Sequence, residues 1–201
     1  MEWYHWLILA LLTVAVVLAW MKALKAGKKR RERLKAETER LKRESELRRD
    51  FKVLTAELLK DTPDERLLAG VAMSIQLPLE KEADMTVPFK ELPREKQYIY
   101  TLEYFVEDCE KSLSNFLRCN GQPLIGLAPE ALRAVGLDEA AATVSEMLPM
   151  LDDNDEETSF DSEKCERLDA EFAKIYNPQA LLAAAADYIK KNQNIFIYRE
   201  D

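Results

Sequence analysis

Histidine is almost missing from this sequence: the 201 residues contain one, His5, and it sits in an apolar stretch near the amino terminus. The remaining chain therefore has no imidazole for a Ser-His-Asp or Cys-His mechanism or for a His-containing zinc site. Glycine is scarce, with five residues, and neither GxxxxGK[ST] nor GxGxxG occurs, so nucleotide binding has no motif behind it. Cysteine is limited to Cys109, Cys119 and Cys165, an odd number without CxxC spacing. Cys109 and Cys165 fall on apolar helical faces and read as small core residues, a usage that agrees with a reducing cytoplasm. No catalytic residue, cofactor or metal ligand is assigned.

Charge is absent from Trp3 to Met21. At about 1.5 Å per residue this stretch spans roughly 28 Å, enough for one transmembrane helix, and residues 1–24 read as a signal-anchor. Trp3, Tyr4 and Trp6 at one end and Trp20 at the other are the interfacial anchors expected of such a helix. Neither a basic n-region nor a small-residue cleavage site marks it as a removable signal peptide. Lys22, Lys25, Lys28, Lys29, Arg30 and Arg31 follow, and only Glu2 precedes. The positive-inside bias then predicts a single pass through the inner membrane, N-out, with the C-terminal part in the cytoplasm. Those six basic residues are also candidate lipid-headgroup contacts.

Charge divides the rest of the chain. Residues 22–50 carry 13 Lys/Arg against 6 Asp/Glu, net +7, whereas residues 51–201 carry 16 against 30, net −14. The overall −8 hides a basic neck, residues 25–60, and an acidic head, residues 61–201. The neck lacks Gly and Pro from Lys28 to Lys60 and is rich in strong helix formers. Its apolar stripe is thin, with heptad-like 4-3-4 spacing at Leu47, Phe51, Leu54 and Leu58. Two arrangements fit: a homodimeric coiled coil, or a single stalk packing on the head, which the thin stripe favours.

The head reads as all-α. Thr62-Pro63-Asp64-Glu65 predicts a helix from Pro63 capped by Thr62, with an apolar stripe up to Pro78. Leu79–Glu91 reads as a loop. Pro93 opens a helix with Tyr98, Leu102, Phe105 and Cys109 on its buried face, and Leu113, Phe116 and Leu117 continue that surface. Asn120-Gly121 marks a turn; Pro129 starts a short helix closed by Gly136. Asp138 caps the next, to about Leu148. Further helices run from about Glu163 to Tyr176, with Cys165, Leu168, Phe172 and Ile175 inward, and from Pro178 through Ile189. Ile195–Tyr198 is expected as an extended tail. Met147 and Met150 read as core filler or an adaptable contact surface.

Leu113-Ser114-Asn115-Phe116-Leu117, Pro129-Glu130-Ala131-Leu132-Arg133-Ala134-Val135-Gly136, Ala140-Ala141, Leu168-Asp169-Ala170-Glu171-Phe172 and Tyr188-Ile189 occur in this order. Over roughly residues 92–196 the sequence resembles a bacterial domain-of-unknown-function family that includes a DNA-mimic protein. The resemblance implies a compact helical domain and, in the best-understood type, surface carboxylates that imitate a phosphate backbone and occupy a DNA-binding transcription factor. The motifs are mostly apolar packing positions, and Glu110-Lys111-Ser112 stands where many members have Asn-Gly-Gly, so no functional residue carries over by position.

The densest acidic run is Asp152-Asp153-Asn154-Asp155-Glu156-Glu157, followed by Asp161. Duplex DNA carries one charge per roughly 1.7 Å of axis, so a comparable acidic array competes for surfaces that bind it. Asp152, Asp153, Asp155, Glu156, Glu157 and Asp161 are therefore the candidate partner-binding face; a solvated loop before a helix N-terminus is the competing reading. A calcium loop counted from Asp152 has Glu157 where glycine is required. The favoured function is a membrane-anchored, non-catalytic module that sequesters or regulates a basic protein, such as a DNA-binding protein or toxin, with no direct nucleic-acid binding by the acidic head. The alternatives are a carboxylate-based or metal-assisted enzyme, which needs acids converging in a concave pocket, and a structural membrane stalk that self-associates.

Overall fold

The computed structural model describes residues 20, 31–32, 34–110, 112–150 and 162–197, and all its regular structure among these is helical. They divide into two compact units, Met1–Glu46 and Leu47–Asp201. The expected membrane span at Trp3–Met21 lies outside the described residues apart from Trp20; among the described residues, no helix is long and apolar enough to cross a membrane.

In the first unit, residues 34–46 belong to a helix, α1, whose described extent is residues 34–50. Lys, Arg, Glu and Leu favour this conformation. Residues 34–43 are exposed on all sides, including Leu34 at 53% and Leu41 at 58%.

In the second unit, Leu47, Phe51 and Leu54 of the neck's predicted stripe are buried in the head's core, and Leu58 packs against it. Helix α2 (Ala56–Asp61) is capped by Thr55, whose hydroxyl accepts from the Leu58 amide at 3.2 Å. Helix α3 spans Asp64–Leu79, so it starts one residue later than expected and ends one residue beyond Pro78. The predicted Thr62 cap does not form: its hydroxyl turns back to donate to the Leu58 carbonyl at 2.6 Å, and Pro63 takes the N-cap position without a side-chain bond. Pro78 falls one residue before the helix end; a proline inside a helix costs about 3 kcal/mol through a lost ladder bond and a ring clash. Burial of Leu79 behind it contributes about 1.5–3 kcal/mol, an offset of similar size.

The segment expected as a loop at Leu79–Glu91 contains a short helix, α4 (Thr86–Glu91), with Phe89 buried. Asp84 accepts from the Thr86 amide at 2.8 Å and fixes its first turn. Pro88 falls in that turn, where amides lack intrahelical partners and proline is tolerated. Gln97, buried, donates to the carbonyls of Lys90 (3.2 Å) and Leu92 (2.7 Å) and ties α4 to the next helix.

Helix α5 (Arg94–Asp108) is the centre of the unit and packs against α3, α7 and α10. Because neighbours cover several sides, Ile99, Tyr100 and Thr101 are buried along with the expected Leu102 and Phe105, while Tyr98 is half-buried. Helix α6 (Leu113–Cys119) follows, its Ser112 cap accepting from the Asn115 amide at 3.1 Å. Helix α7 (Leu124–Ala134) begins five residues before Pro129, which lies inside it rather than at its start. Helix α8 (Asp138–Met147) packs against α7 and against the helix that follows it, with Ala140, Ala141 and Val144 buried. Asp138 is the first helical residue of α8, and Leu137 occupies the cap position. Met147 is fully buried as core filler, and a 3-10 turn at Leu148–Met150 follows.

Helices α9 (Ser162–Ile175) and α10 (Pro178–Lys191) complete the bundle. Cys165, Leu168 and Phe172 point inward as expected; Ile175 is 40% exposed, and Tyr176 stacks on Phe172 instead at 4.8 Å between centroids. Asn177 caps α10 by accepting from the amides of Gln179 and Ala180. Of the tail expected as extended, Ile195 and Phe196 lie instead in α11 (Gln193–Phe196), with Phe196 buried; Ile197 has extended backbone, and Tyr198 lies outside the described residues.

Candidate acidic interaction surface

The family-like motifs meet in the core. Phe105 of α5 makes edge contacts with Phe116 (4.9 Å between centroids) and Phe172 (5.9 Å), bringing α5, α6 and α9 together. Beside the rings, Asp169 of α9 accepts from the Ser114 amide at 2.9 Å and from its hydroxyl at 2.6 Å. A carboxylate at the start of α6 satisfies an otherwise orphaned amide and is favoured by the helix dipole. Asn115 donates to the Asp108 carbonyl at 2.8 Å, and Asn120 to the Asp108 carboxylate at 2.7 Å, which locks the α5–α6 corner. Burial pushes the Cys109 and Cys165 thiols up, so both are held as neutral thiols. Their place in the core matches the sequence expectation.

Many head carboxylates are occupied in holding the fold. Arg48 forms a two-pronged pair with Glu80 (2.7 and 2.6 Å). Asp50 accepts from Arg66 at 2.6 Å and Arg49 at 2.9 Å. Lys190 reaches Asp64 at 2.8 Å, joining α10 to α3, and Tyr98 reaches Glu130 at 3.2 Å, joining α5 to α7. Arg167 lies between Glu146 (3.7 Å) and Glu171 (3.8 Å). Hydrogen bonds from Arg49 and Arg66 hold Asp50 below the ordinary carboxylate range, Arg48 does the same to Glu80, and the Thr86 amide to Asp84. A second set faces water: Glu57, Asp61, Glu65, Glu82, Glu91, Asp138, Glu139, Glu163, Glu166 and Asp187 are exposed, spread over helices and turns along the unit.

Glu103 belongs to neither set. It is half-buried on α5, and loss of water, followed by the neighbouring charge of Glu107, pushes its carboxyl up to about 7. The sequence reading passed over it, although its helical neighbours Ile99, Tyr100 and Val106 gave the signal of a glutamate set into an apolar face. Also missed was the Ser114–Asp169 clamp, whose partners lie 55 residues apart.

Asp152, Asp153, Asp155, Glu156, Glu157 and Asp161, the expected partner-binding face, lie outside the described residues. So do Lys22, Lys25, Lys28, Lys29 and Arg30, and the anchors Trp3, Tyr4 and Trp6. Arg31 and Trp20 are described and exposed. Among the described residues, no three of His, Cys, Asp and Glu gather as a group able to hold a metal ion.

The second unit is thus an acidic helical domain in which one set of carboxylates braces the bundle and another is turned to solvent. The family model for the DMP19-like protein matches residues 90–192, from the end of α4 through α10, and the chain belongs to that family. No curated protein and no solved structure matches it.

Proposed function

We propose that this protein is a non-catalytic, DNA-mimic-type protein-binding module anchored at the cytoplasmic face of the inner membrane, which occupies a basic partner such as a DNA-binding protein or toxin. Membership of the DMP19-like family, joined to a net charge of −14 over residues 51–201, carries the reading. A partner that binds nucleic acid presents Lys and Arg, and a protein surface with carboxylates in place of phosphates competes for it by the same counterion-dependent attraction. The outward carboxylates support a binding surface, since they are spread over several helices instead of converging. In this reading Asp152, Asp153, Asp155, Glu156, Glu157 and Asp161 form the densest contact, and Trp3–Met21, flanked by Lys22–Arg31, localises it.

The test is cross-linked capture from native lysate with the full chain in detergent, nuclease-treated, at low and high salt. Recovery of one basic protein, weakened by salt and by neutralising Asp152→Asn, Asp153→Asn, Asp155→Asn, Glu156→Gln and Glu157→Gln together, is the expected result. Capture that is insensitive to both salt and neutralisation, or no partner at either salt, refutes the electrostatic model.

A further inference from the structure

Leu34 and Leu41 are exposed on α1 although the neck has few other apolar side chains there. They are seven residues apart, two helical turns, and so lie on one line. Thr38 and Ser45 follow each leucine by four residues and share its face. Thr38 donates its hydroxyl to the Leu34 carbonyl at 2.8 Å, so it can present its methyl group without leaving its donor unsatisfied. In heptad terms the leucines occupy d and Thr38 and Ser45 occupy a. Lys35 and Lys42 then occupy e, and Glu37 and Glu44 occupy g, so one flank of the stripe is basic and the other acidic.

That division selects both partner and direction, because e and g charges set the pairing of coiled-coil helices. Two antiparallel copies would set lysine against lysine along one edge and glutamate against glutamate along the other. Two parallel copies set g of one against e of the next heptad in the other, which places Glu37 opposite Lys42, twice by symmetry. The pattern is self-complementary in the parallel direction alone. We propose that residues 34–46 form a parallel self-association surface whose occupant is a second copy of this chain, with Leu34 and Leu41 in the seam and Glu37 of each copy facing Lys42 of the other. This inference does not depend on what the head binds.

The full chain in detergent carries the test, with exposed Cys119 changed to Ser to remove the natural surface thiol. Thr38→Cys puts a thiol in the seam, and Arg43→Cys puts one at the f position, on the opposite face. Mild oxidation is expected to give several-fold more disulfide dimer from Thr38→Cys than from Arg43→Cys. In the Thr38→Cys background, Glu37→Lys and Lys42→Glu are each expected to lower the yield, and mixing the two variants, tagged to differ in size, to restore it as a mixed dimer. Equal yields from the two cysteine positions, no dimer from Thr38→Cys, or a mixture no better than its separate components overturns the proposal.

Discussion

The entry of the chain into the head rests on one close approach, and Gly70→Ala tests it. Phe51 is 1% exposed, with its ring lying against α3 where Gly70 has no side chain. A Cβ at Gly70 would meet Phe51 Cε1, Cζ and Cδ1 at 2.2, 2.3 and 2.4 Å. Carbon atoms settle at about 3.5–4.0 Å, so the ring must move by more than about 1 Å. Three ring atoms are involved, and rotating one flexible terminus cannot relieve the clash. Arg66 also stands over the same ring, 5.8 Å from its centroid, and pairs with Asp50 beside it. Alanine in place of a helical glycine ordinarily stabilises by about 1 kcal/mol. Overpacking costs about 1–3 kcal/mol, and full expulsion of a buried phenylalanine about 3–5 kcal/mol. The expected outcome is a net loss of about 1–3 kcal/mol, or a fall in Tm of roughly 3–10 °C for a unit of this size. Urea and thermal unfolding followed by circular dichroism at the helical band provide the assay. Phe51→Leu should also destabilise alone, yet be better tolerated with Gly70→Ala than the two losses predict, with a coupling above about 0.5 kcal/mol. A Gly70→Ala protein as stable as the parent or more so, with no coupling to position 51, would refute the reasoning.

The remaining predictions concern buried charge and backbone conformation. Asp169→Ala strands the Ser114 amide and leaves the Ser114 hydroxyl only its bond with the Ser112 hydroxyl, and should cost about 1–3 kcal/mol in urea unfolding, while Ser114→Ala, which retains the amide bond, should cost less. Glu103 has a folded-state pKa near 7 against an ordinary 4.5. Between these values the folded protein holds a proton that the unfolded chain has released, so stability falls as pH rises through that window and levels off above it. Glu103→Gln should remove this slope and be more stable than the parent at pH 8 by at most about 3 kcal/mol, with little difference near pH 4; parallel pH–stability curves for the two proteins would contradict it. Gly136 sits at φ +82° and closes α7 through bonds from its own amide to Arg133 and from Leu137 to Leu132. Gly136→Ala should cost about 1 kcal/mol in thermal unfolding despite open space around the site, because the cost lies in the backbone.

Local chemistry made the helices legible more readily than their roles. Pro178 at the start of α10 and Gly136 after α7 are signals whose physics acts within a few residues, and both mark helix ends. The loop expected at Leu79–Glu91 holds a helix because Pro88 falls in its first turn, where amides lack intrahelical partners and proline is tolerated, and Pro129, expected to start a helix, lies inside α7. Thr62 matched a capping sequence, but its hydroxyl had a competing acceptor in Leu58, and sequence order alone does not rank the two. The apolar spacing of Leu47, Phe51 and Leu54 was visible, whereas its partner was not, since a heptad stripe serves a second copy or a head equally well until the bundle is in place. Asp169 and Ser114 carry no mutual signal across 55 residues of chain, and their pairing appears only when α6 and α9 meet.

The placement of the carboxylates also limits how the binding reading can be tested. Loss of binding after an acidic residue is changed means loss of a contact only if the fold survives the change. Asp169 fails that condition, because it satisfies the part-buried Ser114 amide and hydroxyl between α6 and α9; Asp50, Asp64 and Glu80 are a less clean test, since each already faces an Arg or Lys in a surface ion pair, although such pairs add little to stability. Exposed Glu163 and Glu166 on α9 meet it better, and they adjoin in sequence the acidic run that ends at Asp161. If that region of the chain receives a basic partner, Glu163→Gln with Glu166→Gln should weaken capture and flatten its salt dependence while leaving Tm within about 1–2 °C of the parent, as expected for surface changes within ±0.5 kcal/mol. Unchanged affinity and salt slope would separate α9 from the contact and return attention to the exposed acids of α2, α3 and α8. Measuring stability and capture on the same variants distinguishes an acid that meets a partner from one that merely holds two helices together.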